Sequence, residues 1–422
     1  MNIQKLLTKI DCSCGKTHFC DIKYVFVENN AVAHLGDICK DFSNILIVAD
    51  ENTYGVAGEK CEKYIGSKVS KRKIFSGKKI LVPNEEAIAG VRENLEGIDL
   101  IVGIGSGVIQ DLCKYISFYD KIPYYIVATA PSMDGYASSG AAMITDGMKV
   151  TYPAKVPDAI IADTEVLKDA PIEMIKAGYG DIVGKYSALN DWKLSRVVLG
   201  EYFCESIYDL TDDMLKKTLP LAQKLLQRDE ESIKTLTEAL VVVGIAMSFA
   251  GNSRPASGSE HHLSHFFEIT GIIDGNESLP HGIDVAFSTV ITTKIREKIL
   301  NGKFPQKQYS HDEAEYKSEM NRVYTIVSDG CIALQDKMGY YAKDRMPAYL
   351  ENEDEIRKIL AEVPSADEIV AMLSSIGLDM KDFYNKYPAE KIADAIKYAK
   401  DLKDRYTVLW MYYDLYGTEA VL

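Results

Sequence analysis

Histidine is scarce in this chain, with seven in 422 residues, and basic residues are outnumbered, 48 Lys and Arg against 62 Asp and Glu, for a net charge of −14. That deficit excludes a general nucleic-acid binder, because phosphate-backbone binding needs a basic surface. The eight cysteines are too few for a disulfide scaffold of this length. No run of eighteen apolar residues occurs, so no membrane span is expected. The opening MNIQKLLTKIDCSCGK lacks the apolar core of a signal peptide. These absences lead to the expectation of a cytoplasmic globular protein with reduced thiols, long enough for two or three domains.

The few histidines are not scattered. His261, His262 and His265 fall in SGSEHHLSHFFE, and His281 follows in SLPHGIDV. His261 and His265 are four apart and share one face of a helix, while His262 points elsewhere. Imidazoles clustered in a histidine-poor chain suggest a metal site. An oxygen ligand is available in AGYGDIVGKYSALNDWKLS, where Asp181 follows glycines; an aspartate there can equally be a helix cap. A second cluster, CSCGKTHFC, holds Cys12, Cys14, His18 and Cys20. Its spacing differs from paired zinc-ribbon motifs, so a strand and turn with reduced thiols is the simpler reading and a small metal knuckle the alternative.

The first 165 residues alternate β-rich runs (NILIVADENT, KKILVP, GIDLIVGIGSG, IPYYIVATAPS, AIIADTEVL) with helical stretches. Continuous apolar runs suit parallel strands buried on both faces, and the alternation predicts a Rossmann-like α/β domain over 1–165. Segments such as MLKKTLPLAQKLLQRDEESIKTLTEALVVVGIAMSFAG predict an all-α domain over 166–422, holding metal and substrate. Within LIVGIGSGVIQDLCKYI, a strand leads through Gly103, Gly105 and Gly107 into a helix. The glycines are expected to take positive φ and to admit a pyrophosphate at the helix N-terminus. Asp50 and Glu51, after an earlier strand, are placed to bind a ribose 2′-OH, which favours NAD over NADP.

The set GSGVIQD, ATAPSMDGYASSGAAM, GYGD, SRPASGSEHHLSH and LPHG resembles the metal-dependent sn-glycerol-1-phosphate dehydrogenases, within the superfamily of iron-type alcohol dehydrogenases, glycerol dehydrogenases and dehydroquinate synthases. The resemblance covers about residues 40 to 300 and extends to a C-x-C-G N-terminus. It implies a dehydroquinate synthase-like fold, metal ligands Asp181, His261 and His281, and a cofactor site lined by Gly105, Ser106, Gly107, Asp111, Thr129, Ser132 and Ser138. Asp134 falls at a substrate position, and His265 near the nicotinamide, with His265 or a metal-bound water as the proton source. Iron-type relatives carry a fourth, histidine ligand four residues after the aspartate. Here that position is Lys185, which leaves an open coordination position suited to zinc or nickel.

The implied reaction is NAD(P)H-linked reduction of dihydroxyacetone phosphate to sn-glycerol 1-phosphate, a step of phospholipid metabolism, by a homodimer or higher homo-oligomer. A phosphorylated substrate needs a cation, and Arg254 is the candidate; it is equally suited to an ordinary ion pair. A glycerol dehydrogenase acting on unphosphorylated substrate is the close rival. Dehydroquinate synthase lacks its basic residues here, and a non-catalytic NAD-binding scaffold is disfavoured by the full ligand set.

Overall fold

The computed structural model describes residues 3–145 and 148–419. The chain forms two compact units, Met1–Ile182 with Lys216–Asn252, and Val183–Leu215 with Ser253–Leu422. The sheet-bearing unit thus takes in helices well beyond residue 165.

Among the described residues the first unit contains ten strands: β1 (Ile10–Asp11), β2 (Thr17–His18), β3 (Tyr24–Glu28), β4 (Ile45–Asp50), β5 (Val69–Phe75), β6 (Leu100–Gly105), β7 (Tyr124–Ala128), β8 (Gly140–Thr145), β9 (Met148–Pro153) and β10 (Ala159–Asp163). Six form one parallel sheet in the order β3-β10-β7-β6-β4-β5; β1–β2 and β8–β9 are separate antiparallel hairpins. Every residue of β6, β7 and β10 is buried, because helices cover both faces of a parallel sheet and leave no water-facing side for its strands.

The α/β expectation holds, with two corrections among its strands. KKILVP is not a strand: Ile80 and Val82 are 76% and 42% exposed. The strand there is the preceding VSKRKIF, β5, at the sheet edge beside β4. One of its flanks is open to water, so Lys71, Arg72 and Lys73 are tolerated and no apolar run marks it. The short β3, at the opposite edge, was not anticipated either.

Neighbouring β4 and β6 lie where the chain reverses its order across the sheet, with Ala49 opposite Ile104. Asp50 and Gly105 therefore emerge together at the carboxyl ends of their strands, the position at which open α/β sheets bind ligands.

The helix Glu230–Ala250 belongs to this unit. It is long and apolar enough to cross a membrane by length and composition, yet 78% of its apolar window is buried, so it is a core helix. Among the described residues no strand follows Asp163, in line with the all-α expectation. The second unit is built on the helices Lys185–Leu199, Ser259–Asp274 and His281–Asn301. At its centre Arg296 Nη2 donates to Asp191 Oδ1 at 2.8 Å, both side chains buried. Asp191 also accepts the backbone N–H of Ser259 at 2.7 Å, which fixes the start of the histidine-bearing helix.

Candidate active site

In the first unit, β6 runs into the helix Gly107–Asp120 through Ser106. None of Gly103, Gly105 and Gly107 has positive φ, so the expected reason for them is corrected. A Cβ on Gly103 would meet Cys113 Sγ at 2.8 Å, and one on Gly105 would meet Ile109 Cβ at 2.6 Å. These two glycines let helix and strand pack closely. Gly107 differs: nothing lies within 4 Å of its Cβ position. There the backbone faces open space at the N-terminus of a fourteen-residue helix, the geometry that receives a phosphate. Asp50 sits beside this turn but is partly committed. Its Oδ1 accepts the N–H of Asn52 and Thr53 at 2.8 and 3.0 Å, as a helix cap. Glu51 accepts the N–H of Gly77 at 2.9 Å.

The segment 129–140 carries Thr129, Ser132, Asp134 and Ser138 and is clamped from several directions. Thr129 N–H donates to the Gly105 carbonyl at 3.2 Å, which brings this segment to the glycine turn. Buried Lys114 donates to the Gly135 carbonyl at 2.6 Å, Ser138 Oγ at 3.0 Å and the Gly140 carbonyl at 3.1 Å. Burial pulls the Lys114 ammonium below its ordinary pKa. It also lies 3.6 Å from Asp111. Ser248 Oγ donates to the Ala137 carbonyl at 3.1 Å. Lys114 was not anticipated; in sequence it is one helical lysine among many.

Asp181 is not a helix cap. It lies inside the helix Ile172–Val183 and is fully buried, with Oδ2 accepting the N–H of Asp134 at 3.0 Å. The glycines before it are helical. A Cβ on Gly178 would meet the Pro131 carbonyl oxygen at 1.9 Å and the Leu240 side chain at 3.1 Å. Gly178→Ala should therefore lower stability by about 2 kcal/mol in denaturant unfolding. An exposed helical Gly→Ala gains about 1 kcal/mol instead, and a gain here would show that the segment yields freely.

In the second unit, the helices Ser259–Asp274 and His281–Asn301 bring three imidazoles together. Ring centroids of His261 and His281 are 5.2 Å apart, those of His265 and His281 5.7 Å, and those of His261 and His265 6.0 Å. His261 Nδ1 donates to Glu260 Oε1 at 2.6 Å, and the same oxygen accepts the Gly258 N–H at 2.9 Å. His281 Nδ1 donates to Glu268 Oε1 at 2.8 Å. Each carboxylate fixes the tautomer that leaves Nε2 with its lone pair for a metal. Glu260 is opposed by burial, but its hydrogen bond from His261 prevails and holds its carboxyl below the usual value. Ligand atoms of His265, Glu268 and His281 also lie within 4.8 Å of one another. Neither glutamate was anticipated, although 261, 265 and 268 fall on one helical face, a legible signal. His262 faces away and is fully buried; burial pushes its imidazole well below the ordinary pKa, so it is neutral.

Arg254 does not bear out the phosphate expectation. It is 2% exposed. Its guanidinium pairs with Glu201 through Nε at 2.7 Å and Nη2 at 2.5 Å, and donates to the Tyr406 carbonyl at 2.8 Å and Ser195 Oγ at 3.2 Å. A buried guanidinium satisfied by a carboxylate, a carbonyl and a hydroxyl is held as structure. Lys185 is likewise fully buried, donating to the Ala256 carbonyl at 3.0 Å.

The family model of iron-containing alcohol dehydrogenases matches residues 26–171. A glycerol-1-phosphate dehydrogenase (NAD(P)+) of Geobacillus thermodenitrificans is 31% identical over 346 residues, covering 80% of this chain and 78% of the relative. The Halalkalibacterium halodurans protein of the same name is 28% identical over 409 residues, 95% and 94% of the two chains. Among solved structures, a probable glycerol dehydrogenase from Sinorhizobium meliloti has a TM-score of 0.61 at 14% identity, covering 90% of this chain and 89% of that one, a likeness of fold.

Proposed function

Because the chain belongs to the glycerol-1-phosphate dehydrogenases of the iron-containing alcohol dehydrogenase family, we propose that it reduces dihydroxyacetone phosphate to sn-glycerol 1-phosphate with NADH, NADPH serving as an alternative donor. The observation that carries this reading is that kinship, sustained over most of the chain. We assign the enzyme to the cytoplasm, as a homo-oligomer, with zinc or nickel as its ion.

When bound, a divalent ion supplies Lewis acidity at the keto oxygen, and reduced nicotinamide supplies the hydride. The donor chemistry fits such an ion: a carboxylate, Asp181, and the imidazoles of His261 and His281, whose Nδ1–H groups are held by Glu260 and Glu268. His265, beside both imidazoles, delivers the proton that the developing alkoxide takes up. Asp134 orients the substrate. Gly105, Ser106, Gly107, Asp111, Thr129, Ser132 and Ser138 line the cofactor, with Lys114 holding the last of these in place.

The test is NAD(P)H oxidation with dihydroxyacetone phosphate and dihydroxyacetone side by side, after loading with zinc, nickel or iron separately. Preference for the phosphorylated ketone is expected; equal or better use of dihydroxyacetone would make this a glycerol dehydrogenase. The cofactor assignment has its own check. Gly107→Val adds a side chain where the protein has open space, so folding should be little changed. The KM for NADH should rise at least about tenfold, from loss of roughly 1.4 kcal/mol or more at the pyrophosphate. An unchanged KM would remove the phosphate from this turn.

A further inference from the structure

We infer that the N-terminal hairpin is a structural zinc site whose ligands include Cys12, Cys14 and His18. Ligand atoms of these three residues all lie within 4.8 Å of one another. The hairpin pairs Ile10 with His18 and Asp11 with Thr17. Between the strands the chain reverses through Gly15 at φ 84°, with Gly15 N–H donating to the Cys12 carbonyl at 3.0 Å and Cys12 N–H to the Lys16 carbonyl at 3.1 Å. This turn puts both thiols on the side of the His18 ring, and Cys14 Sγ is 3.4 Å from His18 Nε2.

The imidazole is set as a ligand. It is 4% exposed, stacks on Phe249 at 5.5 Å between centroids, and its Nδ1 lies 3.2 Å from the Phe249 carbonyl. A carbonyl can only accept, so Nδ1 carries the proton and Nε2, the atom facing Cys14, carries the lone pair. That backbone anchor is the arrangement that orients metal-bound histidines. Cys20 is outside the set: its buried thiol hydrogen-bonds Ser248, and burial raises its pKa.

Two soft sulfurs and an imidazole select zinc, with one further ligand completing a tetrahedron. The need for it is physical. Strands of two residues each are too short to hold a hairpin by backbone pairing, and a metal that binds only the folded turn stabilises it directly. The simpler alternative is a thiol–imidazole hydrogen bond with no metal.

The experiment uses the intact protein. Elemental analysis after zinc loading should give two equivalents per chain. Cobalt substitution should produce a thiolate-to-cobalt charge-transfer band in the near ultraviolet. The proposed catalytic ligands contain no sulfur, so that band reports the hairpin alone. His281→Ala should lose one equivalent and keep the band. Cys12→Ser/Cys14→Ser should lose the other equivalent and the band. Absence of the band in the unsubstituted protein overturns the inference without any variant having to fold, and so does a band that survives the double substitution. Neither result bears on the proposed reaction.

Discussion

Asp181→Asn, His261→Ala and His281→Ala should each abolish metal retention at the catalytic site, with kcat/KM falling at least about a thousandfold, near 4 kcal/mol. Asparagine is chosen at 181 because the side chain is fully buried and accepts the Asp134 N–H. Its amide oxygen keeps that bond and removes only the charge, whereas alanine would also leave a buried donor unsatisfied. The competing ligand set, His265, Glu268 and His281, gives a different pattern. If Glu268 only orients His281, Glu268→Gln should weaken metal binding by about 10–100-fold and not eliminate it. Inductively coupled plasma analysis, corrected for the hairpin site by the cobalt signature, reads both cases. Full catalytic occupancy in Asp181→Asn, with none in Glu268→Gln, would replace the assignment by the set His265, Glu268 and His281.

Arg254→Ala should destabilise the fold by about 3 kcal/mol and leave the KM for dihydroxyacetone phosphate unchanged in the protein that remains folded. Removing one partner of a buried pair leaves the other uncompensated. Glu201 keeps 30% of its side chain exposed, which puts the effect at the lower end of the usual range. Arg254→Lys should rescue little, because an ammonium cannot reproduce the forked contact to Glu201 together with the Tyr406 and Ser195 bonds. Urea unfolding supplies the stability and initial rates the KM. Unchanged stability with a KM raised tenfold or more would return Arg254 to the substrate.

The sequence by itself determined the α/β character of the first unit, because ILIVA (45–49), LIVGIG (100–105) and AIIA (159–162) have no polar positions and only a strand covered on both faces accommodates that. It determined the helical second unit and the shared face of His261 and His265, because one helical period sets which residues share a face; His281 reaches them from a second helix. Tertiary structure decided what local pattern cannot express. Whether KKILVP or VSKRKIF pairs with β4 depends on which segment reaches the sheet edge. Whether Gly178 marks a turn or a close approach depends on the Pro131 carbonyl 1.9 Å from its Cβ position. Whether Arg254 reads a phosphate or an internal carboxylate depends on Glu201, fifty-three positions away in the chain. In each case the deciding atom is distant in sequence, and only the packed chain brings it within the few ångströms over which hydrogen bonds and steric repulsion act.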